Sequence, residues 1–118
     1  SQTMLVTTPG GAAYRWAISS GKPGFLTPRG RYRPQVLKTF HFSRKYHGAM
    51  PFSVFFHGGF AIHGTSDVRR LGRPASHGCI RLHTANARQL FEIIGNLSSH
   101  FSANSVSRVS ASASVAAV

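Results

Sequence analysis

The sequence predicts a single, mainly β domain with one helix. Short runs rich in β-branched and aromatic residues recur along the chain, and Gly and Pro separate them. Only the segment that begins at Thr84 repeats its apolar residues with the helical period. A chain of 118 residues, 42% of them hydrophobic, is large enough for one modest core and too small for two.

The N-terminal segment has the pattern of a β-hairpin. Two alternating runs, Thr3 to Thr7 and Ala12 to Ile18, flank the turn residues Pro9, Gly10 and Gly11. Residues 19–30 are rich in Gly and Pro, so we expect a loop whose turns are set by backbone conformation rather than by packing.

The next segment alternates basic or polar residues with apolar ones. Residues 31–42 therefore predict a strand with one face in water, broken at Pro34, as an edge strand tolerates. Residues 43–51 lack a period and predict a loop over a substrate groove. We interpret Tyr46 and His47 as ordinary residues of that loop.

The middle of the chain predicts two short strands and a connection. Residues 52–56 and 60–62 are dense in aromatic and aliphatic side chains, with Gly58 and Gly59 between them. The second strand ends at His63, so this imidazole is expected at the rim of the sheet. Residues 65–74 predict a loop or a single helical turn that returns the chain beside His63.

The predicted helix begins with Thr84 as its N-cap and ends at Gly95 and Asn96. Its core face carries apolar residues at i, i+3, i+4 and i+7, namely Ala87, Leu90, Phe91 and Ile94. We therefore predict a domain over residues 1–96. Residues 97–118 are dominated by Ser, Ala and Val, which predicts a flexible low-complexity tail, with a strand over residues 105–110 as the alternative.

The chain is strongly basic, with 14 Lys and Arg against 2 Asp and Glu and a formal net charge of +12. This charge indicates an anionic partner, but the basic residues are scattered, so nucleic acid is not the expected one. No apolar run of 18 residues exists, which argues against a membrane span. One cysteine permits no intrachain disulfide. Because the first residue is Ser1 and not Met, we expect a processed or trimmed form.

The chemistry is concentrated around Cys79, the only cysteine. His77 lies two residues before it and His63 sixteen before it. A cysteine is a useful nucleophile as thiolate, and a nearby imidazole that takes its proton is a common way to form one. Gly78 permits an unusual backbone conformation and could direct amide groups at an oxyanion. The alternative interpretation is a small buried cysteine that happens to lie near histidines.

These residues resemble the signature of the L,D-transpeptidase (YkuD-type) catalytic domain. The resemblance rests on three blocks in family order, covering about residues 2 to 96. They are the glycine-rich residues 20–30, the histidine-bearing residues 56–64, and Ser76-His77-Gly78-Cys79-Ile80-Arg81. Many members of the family carry Asn where this chain has Arg81.

The resemblance implies a β-sandwich-like catalytic fold and a cysteine acyltransferase that needs no cofactor and no metal. Cys79 would attack the third residue of a peptidoglycan stem tetrapeptide and release D-Ala. A second stem peptide, or a lipoprotein, would supply the acceptor amine. The implied location is the periplasm or another extracytoplasmic wall compartment. The implied roles are general base for His63, an orienting carbonyl at Gly64, an oxyanion site at Gly78, and substrate contacts at Ser76, His77 and Arg81.

Several alternatives stay open at this point. His57 competes with His63 as the base, whereas His41, His83 and His100 are expected to be solvated. A papain-like hydrolase would have its cysteine before its histidine, the reverse of the order here. A metal site made of Cys79, His77 and His63 lacks further cysteine or carboxylate ligands. A carboxypeptidase of the same fold, and a non-catalytic basic wall-binding module, also fit the composition.

Overall fold

The computed structural model describes residues 2–100 and 110–114, with side chains for residues 2–96. It contains seven strands, one α-helix and one turn of 3-10 helix at Val68–Arg70. The strands are β1 (Thr3–Thr7), β2 (Ala13–Ser19), β3 (Val36–Ser43), β4 (Gly48–His57), β5 (Phe60–Thr65), β6 (Ile80–His83) and β7 (Ser110–Ser114), and the helix is α1 (Thr84–His100). The predicted class, mainly β with one helix, is confirmed.

The strands form one sheet in the order β3-β4-β5-β6-β2-β1-β7. Neighbours in the sheet are antiparallel except β5 and β6, which are parallel. Strand β2 joins the two parts of the sheet because residues 13–17 pair with β1, while Ile18 and Ser19 pair with β6. The predicted N-terminal hairpin is therefore present, and its second strand, β2, also pairs with β6.

The hydrophobic core lies between the sheet and α1. The helix buries the side chains of Ala87, Leu90 and Ile94, which recur at the helical period on one face. The sheet contributes fully buried residues from several strands, namely Met4, Val6, Ile18, Val54 and Leu82. Each such aliphatic side chain contributes roughly 1.5–3 kcal/mol by leaving water, so this face fixes the helix beneath the sheet.

The β3–β4 hairpin differs from the prediction in its bounds. Strand β3 begins at Val36 and not at residue 31, so Pro34 lies before it. The predicted loop over residues 43–51 is wrong, since β4 resumes at Gly48 and leaves a turn of residues 44–47. Strand β4 contains Pro51, and the next residue, Phe52, has a left-handed φ of 53°. This irregularity obscured the first half of β4 in the sequence pattern.

The ends of α1 also differ from the prediction. The Thr84 hydroxyl donates to the carbonyl of Thr65 (3.3 Å) and does not cap the helix, whereas the His83 ring accepts the Ala85 N–H (3.3 Å). The helix continues past Gly95 to residue 100, because one helical glycine costs only about 1 kcal/mol and the core face persists to Ile94.

The C-terminal part of the chain is only partly described. Helix α1 crosses the predicted domain boundary at residue 96, and β7 pairs with β1 along its whole length. Most of the segment in which the alternative strand was expected, residues 105–109, lies outside the described residues, as do residues 115–118. The division into a catalytic domain and a low-complexity tail stays a prediction.

Gly64 permits the close approach of β5 to the start of α1. A Cβ at this position would lie 2.9 Å from both the Cα and the Oγ1 of Thr84 and 3.2 Å from Pro51 Cγ. Backbone atoms cannot move aside as easily as the end of a flexible side chain. Gly64 is therefore required by packing, next to the histidine that precedes it.

We expect Gly64→Ala to lower the free energy of unfolding by about 1–3 kcal/mol, the usual cost of overpacking. Chemical denaturation followed by Trp16 fluorescence measures the change. Gly48→Ala is the matched control, because a Cβ there meets nothing within 4 Å. Equal stabilities of the two variants would contradict the packing role of Gly64.

Candidate active site

Five of the seven predicted site residues line one cleft of about 750 Å³ on the sheet, namely His63, Ser76, His77, Cys79 and Arg81. The floor includes His63 on β5, and Arg81 on β6 together with Cys79 just before it. One wall is the β3–β4 hairpin with its turn. The other is the cysteine loop, defined here as residues 72–79. The fold therefore brings together residues that lie far apart in the sequence.

The parallel pairing of β5 with β6 brings the histidine and the cysteine to the same place. His63 pairs with Arg81, and Ile62 pairs with Ile80. Cys79 lies directly before β6, two residues from Arg81, and both line the cleft that His63 lines. The sheet thus sets this arrangement.

The His63 ring is held by its own strand. Its Nδ1 donates to the Gly64 carbonyl at 2.7 Å, which fixes the tautomer with the proton on Nδ1 and leaves Nε2 able to accept one. This is the orienting contact expected for Gly64. Burial lowers the pKa of His63 to about 4, with further lowering by the charges of Arg81 and His41 and opposition from the Gly64 hydrogen bond.

The Cys79 thiol is partly buried and faces the Gly59 carbonyl at 3.9 Å. Burial raises the pKa of this thiol, while a backbone hydrogen bond from Ala61 and the charge of Arg81 lower it in part. The pKa of the imidazole is lowered and the pKa of the thiol is raised, so both shifts favour the uncharged form. At pH 7 the resting pair is therefore a neutral thiol and a neutral imidazole.

Ser76 organises the cysteine loop. Its side chain is buried, its hydroxyl donates to the Cys79 carbonyl, and the same oxygen accepts the Gly78 N–H at 3.0 Å. These two bonds give Ser76 a positioning role inside the loop. The substrate contact predicted for Ser76 stays a prediction.

Gly78 has a φ of +123°, and a Cβ at this position would lie 2.4 Å from the Phe60 ring. Both features require glycine. The predicted oxyanion role needs correction, however, because the Gly78 N–H is already bonded to Ser76. What Gly78 supplies is the turn that presents Cys79 at the start of β6.

The glycine-rich residues 19–30 hold the cysteine loop from the other side. The Gly21 N–H donates to Thr27 Oγ1 at 3.0 Å, and the Thr27 hydroxyl donates to the Gly78 carbonyl at 2.7 Å. The Lys22 N–H donates to the Ser76 carbonyl at 2.9 Å. Sequence reasoning did not single out Thr27. A hydroxyl residue within a Gly- and Pro-rich loop was the only available signal.

His77 is enclosed by two rings from different loops. The Tyr46 ring stacks on it at 4.1 Å and an angle of 4°, and the Phe25 ring meets it edge-on at 4.8 Å. Partial burial and the charges of Lys22 and Arg81 lower the pKa of His77. Tyr46, predicted to be an ordinary loop residue, therefore joins the β3–β4 turn to the cysteine loop.

Two further histidines and the two carboxylates of the chain differ in where they lie relative to the cleft. His57 is exposed, packs against Tyr32 and Phe60, and does not line the cleft, whereas His41 does. The only two carboxylate side chains of the sequence pair with arginines, Asp67 with Arg70 (3.3 Å) and Glu92 with Arg88 (3.0 Å). Arg81 is left with no side-chain carboxylate as a partner.

Within the described part of the chain, no three His, Cys, Asp or Glu side chains are grouped so that they could hold a metal ion. Across the same residues, no helix is both long and apolar enough to cross a bilayer.

A family model described as the L,D-transpeptidase catalytic domain (YkuD) matches residues 1–100. The chain belongs to this family. The family resemblance seen in the sequence motifs is therefore confirmed.

Solved L,D-transpeptidases share the fold. The enzyme from Mycobacterium smegmatis is 27% identical, with a TM-score of 0.71, and the match covers 78% of this chain and 49% of that one. The enzyme from Stackebrandtia nassauensis is 27% identical, with a TM-score of 0.68 and coverage of 78% and 45%. An L,D-transpeptidase solved in complex with imipenem is 25% identical, with a TM-score of 0.70 and coverage of 77% and 49%.

This YkuD domain thus spans about half the length of those structures. No curated protein matches the chain.

The buried histidine predicts a specific pH dependence of stability. Between pH 6.5 and about 4 the unfolded chain binds a proton at residue 63 that the folded chain does not, so stability is lost as pH falls through this window. The difference between these two pKa values corresponds to roughly 3 kcal/mol. Denaturation at a series of pH values measures it.

We expect His63→Asn to flatten this pH dependence, because an amide can replace the Nδ1 bond to Gly64 without titrating. His57→Asn, the same change at an exposed position, serves as the matched control and is expected to behave like the parent. An unchanged slope in His63→Asn would show that His63 is not buried in its neutral form.

Proposed function

We propose that this chain is the catalytic domain of a peptidoglycan L,D-transpeptidase that acts in an extracytoplasmic wall compartment. One observation supports this most directly: in a chain that belongs to the YkuD family, the parallel β5–β6 pair puts Cys79 and the tautomer-fixed His63 in one cleft. The donor is a stem tetrapeptide. The acceptor is an amine of a second stem peptide, with a lipoprotein amine as the other candidate.

The neutral resting pair favours general-base catalysis over a preformed thiolate. As the Cys79 sulfur bonds to the carbonyl carbon of the third stem residue, its proton passes to Nε2 of His63. The imidazolium then returns this proton to the amine of D-Ala as the C–N bond breaks, which leaves a thioester. The acceptor amine attacks the thioester carbonyl and loses a proton to Nε2 of His63. The C–S bond then breaks, and the imidazolium returns this proton to the sulfur, which restores the Cys79 thiol and the neutral imidazole.

The surrounding residues supply binding and charge. The Cys79 amide is the candidate donor to the oxyanion, since the Gly78 amide is engaged with Ser76. Arg81, which has no acidic side-chain partner, is positioned to receive a substrate carboxylate and to stabilise sulfur anion character. His77, with Tyr46 and Phe25 around it, forms the wall that a peptide would contact.

Hydrolysis is the second candidate. Water in place of the acceptor amine would make the same site an L,D-carboxypeptidase, and nothing in the cleft restricts the acceptor to an amine. A wall-binding module without catalysis is the third candidate.

Cys79→Ser is expected to abolish turnover of a stem tetrapeptide while leaving stability nearly unchanged. The substitution is almost isosteric, but a hydroxyl is far harder to ionise than a thiol. Incubation with purified tetrapeptide, with and without an acceptor stem, followed by mass spectrometry, separates the candidates.

A cross-linked product supports the transpeptidase, and release of D-Ala without cross-links supports the carboxypeptidase. Turnover retained by Cys79→Ser would end the cysteine mechanism. If the parent chain is inactive while iodoacetamide still labels Cys79, a wall-binding role is supported instead.

A carbapenem is expected to acylate Cys79 once per chain, because the opened ring stays tethered to the sulfur. With the pKa of His63 at about 4, the acylation rate should be nearly constant from mildly acidic to neutral pH and fall about tenfold per pH unit below pH 4. Intact-mass spectrometry with imipenem measures the rate.

His63→Ala should slow this acylation roughly 10²- to 10⁴-fold, the usual contribution of a positioned general base. His57→Ala, a histidine outside the cleft, should change it little. A reversed order of the two variants would assign the base to His57.

A further inference from the structure

A second basic feature lies away from the cleft. Residues 29–33, Arg-Gly-Arg-Tyr-Arg, place three arginines within five positions. We call this segment the arginine loop. All three side chains are exposed, and none of them lines the catalytic cleft.

The arginine loop is anchored at its centre. The Tyr32 hydroxyl donates to the Arg29 carbonyl at 3.0 Å, and the Tyr32 ring packs against Phe56 at 5.2 Å and His57 at 5.0 Å. These contacts hold Tyr32 against the sheet, while the arginines on either side of it are exposed. The charges are therefore presented by a shaped loop, which reduces the entropy lost when they bind a ligand.

Both ends of the arginine loop are also tied down. On one side, the Thr27 hydroxyl bonds to the Gly78 carbonyl, and on the other, the Gln35 N–H donates to the Phe55 carbonyl at 2.7 Å. The chain around the three arginines is thus connected to the sheet and to the cysteine loop.

The three guanidinium groups have no internal counter-charge. The two carboxylate side chains of the whole sequence belong to Asp67 and Glu92, and each already pairs with another arginine. Three like charges at alternate positions repel one another, so an external anion would relieve the repulsion. Guanidinium is the side-chain group that binds phosphate in a planar, bidentate geometry.

We propose that the arginine loop binds a phosphodiester polymer of the cell wall. That the polymer belongs to the cell wall rests on the proposed extracytoplasmic function. A chain with one phosphate per short repeat can engage several arginines at once, whereas a single carboxylate engages one. A nucleic acid is favoured less, because the loop offers a single aromatic ring, Tyr32, which already packs against Phe56 and His57 and is only partly exposed. A lipid surface is favoured less because the loop itself has no aliphatic side chain for insertion.

A polymer bound to the arginine loop would lie near the catalytic cleft without blocking it. Tyr32 packs on His57, and His57 stacks on Phe60 at 6.2 Å, which lines the cleft and supports Gly78. A polymer on the arginine loop would hold the domain at the wall while the cleft stays open to stem peptides.

The test uses fluorescence anisotropy with a labelled synthetic poly(glycerol phosphate), on the full chain. The variant carries Arg29→Gln, Arg31→Gln and Arg33→Gln. The matched control carries Arg15→Gln, Lys38→Gln and Arg69→Gln, three exposed basic residues elsewhere that remove the same charge. We expect the loop variant to weaken binding about tenfold or more, and to reduce the slope of log affinity against log salt by about 2. The control should stay within about twofold of the parent.

Equal losses in the two variants would overturn the proposal in favour of general charge attraction, as would an absence of binding at low salt. Vesicles with anionic phospholipid and a single-stranded oligonucleotide of matched charge are the competing probes, and tighter binding of either one overturns the assignment to the polymer. Turnover of a free tetrapeptide should be unchanged in the loop variant. Failure of the polymer assay with turnover intact rejects this proposal alone, whereas loss of turnover in the parent rejects the proposed function.

Discussion

The parallel pairing of β5 with β6 is the constraint on which the site depends. It aligns His63 with Arg81, and Cys79 lies two residues before Arg81 in the same cleft. A parallel pair needs a long crossover between its strands, and here residues 66–79 supply it, including the 3-10 turn and the cysteine loop. The nucleophile is therefore placed at the point where this crossover re-enters the sheet. Any shift of register by one residue would send Arg81 to the face opposite His63.

The cysteine loop is shaped by hydrogen bonds rather than by a hydrophobic core. Ser76 closes it from inside, while Thr27 and Lys22 reach it from the glycine-rich segment. These contacts use up the Gly78 amide and carbonyl, so the loop is satisfied before any substrate binds. A pre-organised loop of this kind lowers the entropy lost on reaching the reactive geometry. Because the Gly78 amide is already bonded, a donor to an oxyanion must be an amide of the loop that these contacts do not use.

Sequence reasoning predicted the class of fold and the strand that carries His63, and most of the predicted site residues line one cleft, but their roles could not all be predicted. Strand alternation and the face of Ala87, Leu90 and Ile94 are local signals, and these predictions agree with the structure. The first half of β4 was missed because Pro51 and the left-handed Phe52 break the pattern. The roles of Ser76 and Gly78 could not be read from the motif either. Whether a hydroxyl or an amide is free depends on its partners, and Thr27, a partner of Gly78, lies 51 residues away.

The electrostatics of the cleft explain why the resting pair stays neutral in so basic a chain. Arg81 favours a thiolate at Cys79 but disfavours an imidazolium at His63, so its charge cannot stabilise both halves of an ion pair. Burial disfavours both charged forms further. Among the described residues, no carboxylate bonds to His63, in contrast to sites where an acid supports the imidazolium, and its hydrogen-bond partner is the Gly64 carbonyl. A bound peptide carboxylate near Arg81 would offset part of that positive charge, and this would ease proton transfer to His63 at the moment when the sulfur attacks. In the proposed function, the substrate itself thus completes the electrostatic conditions for its own acylation.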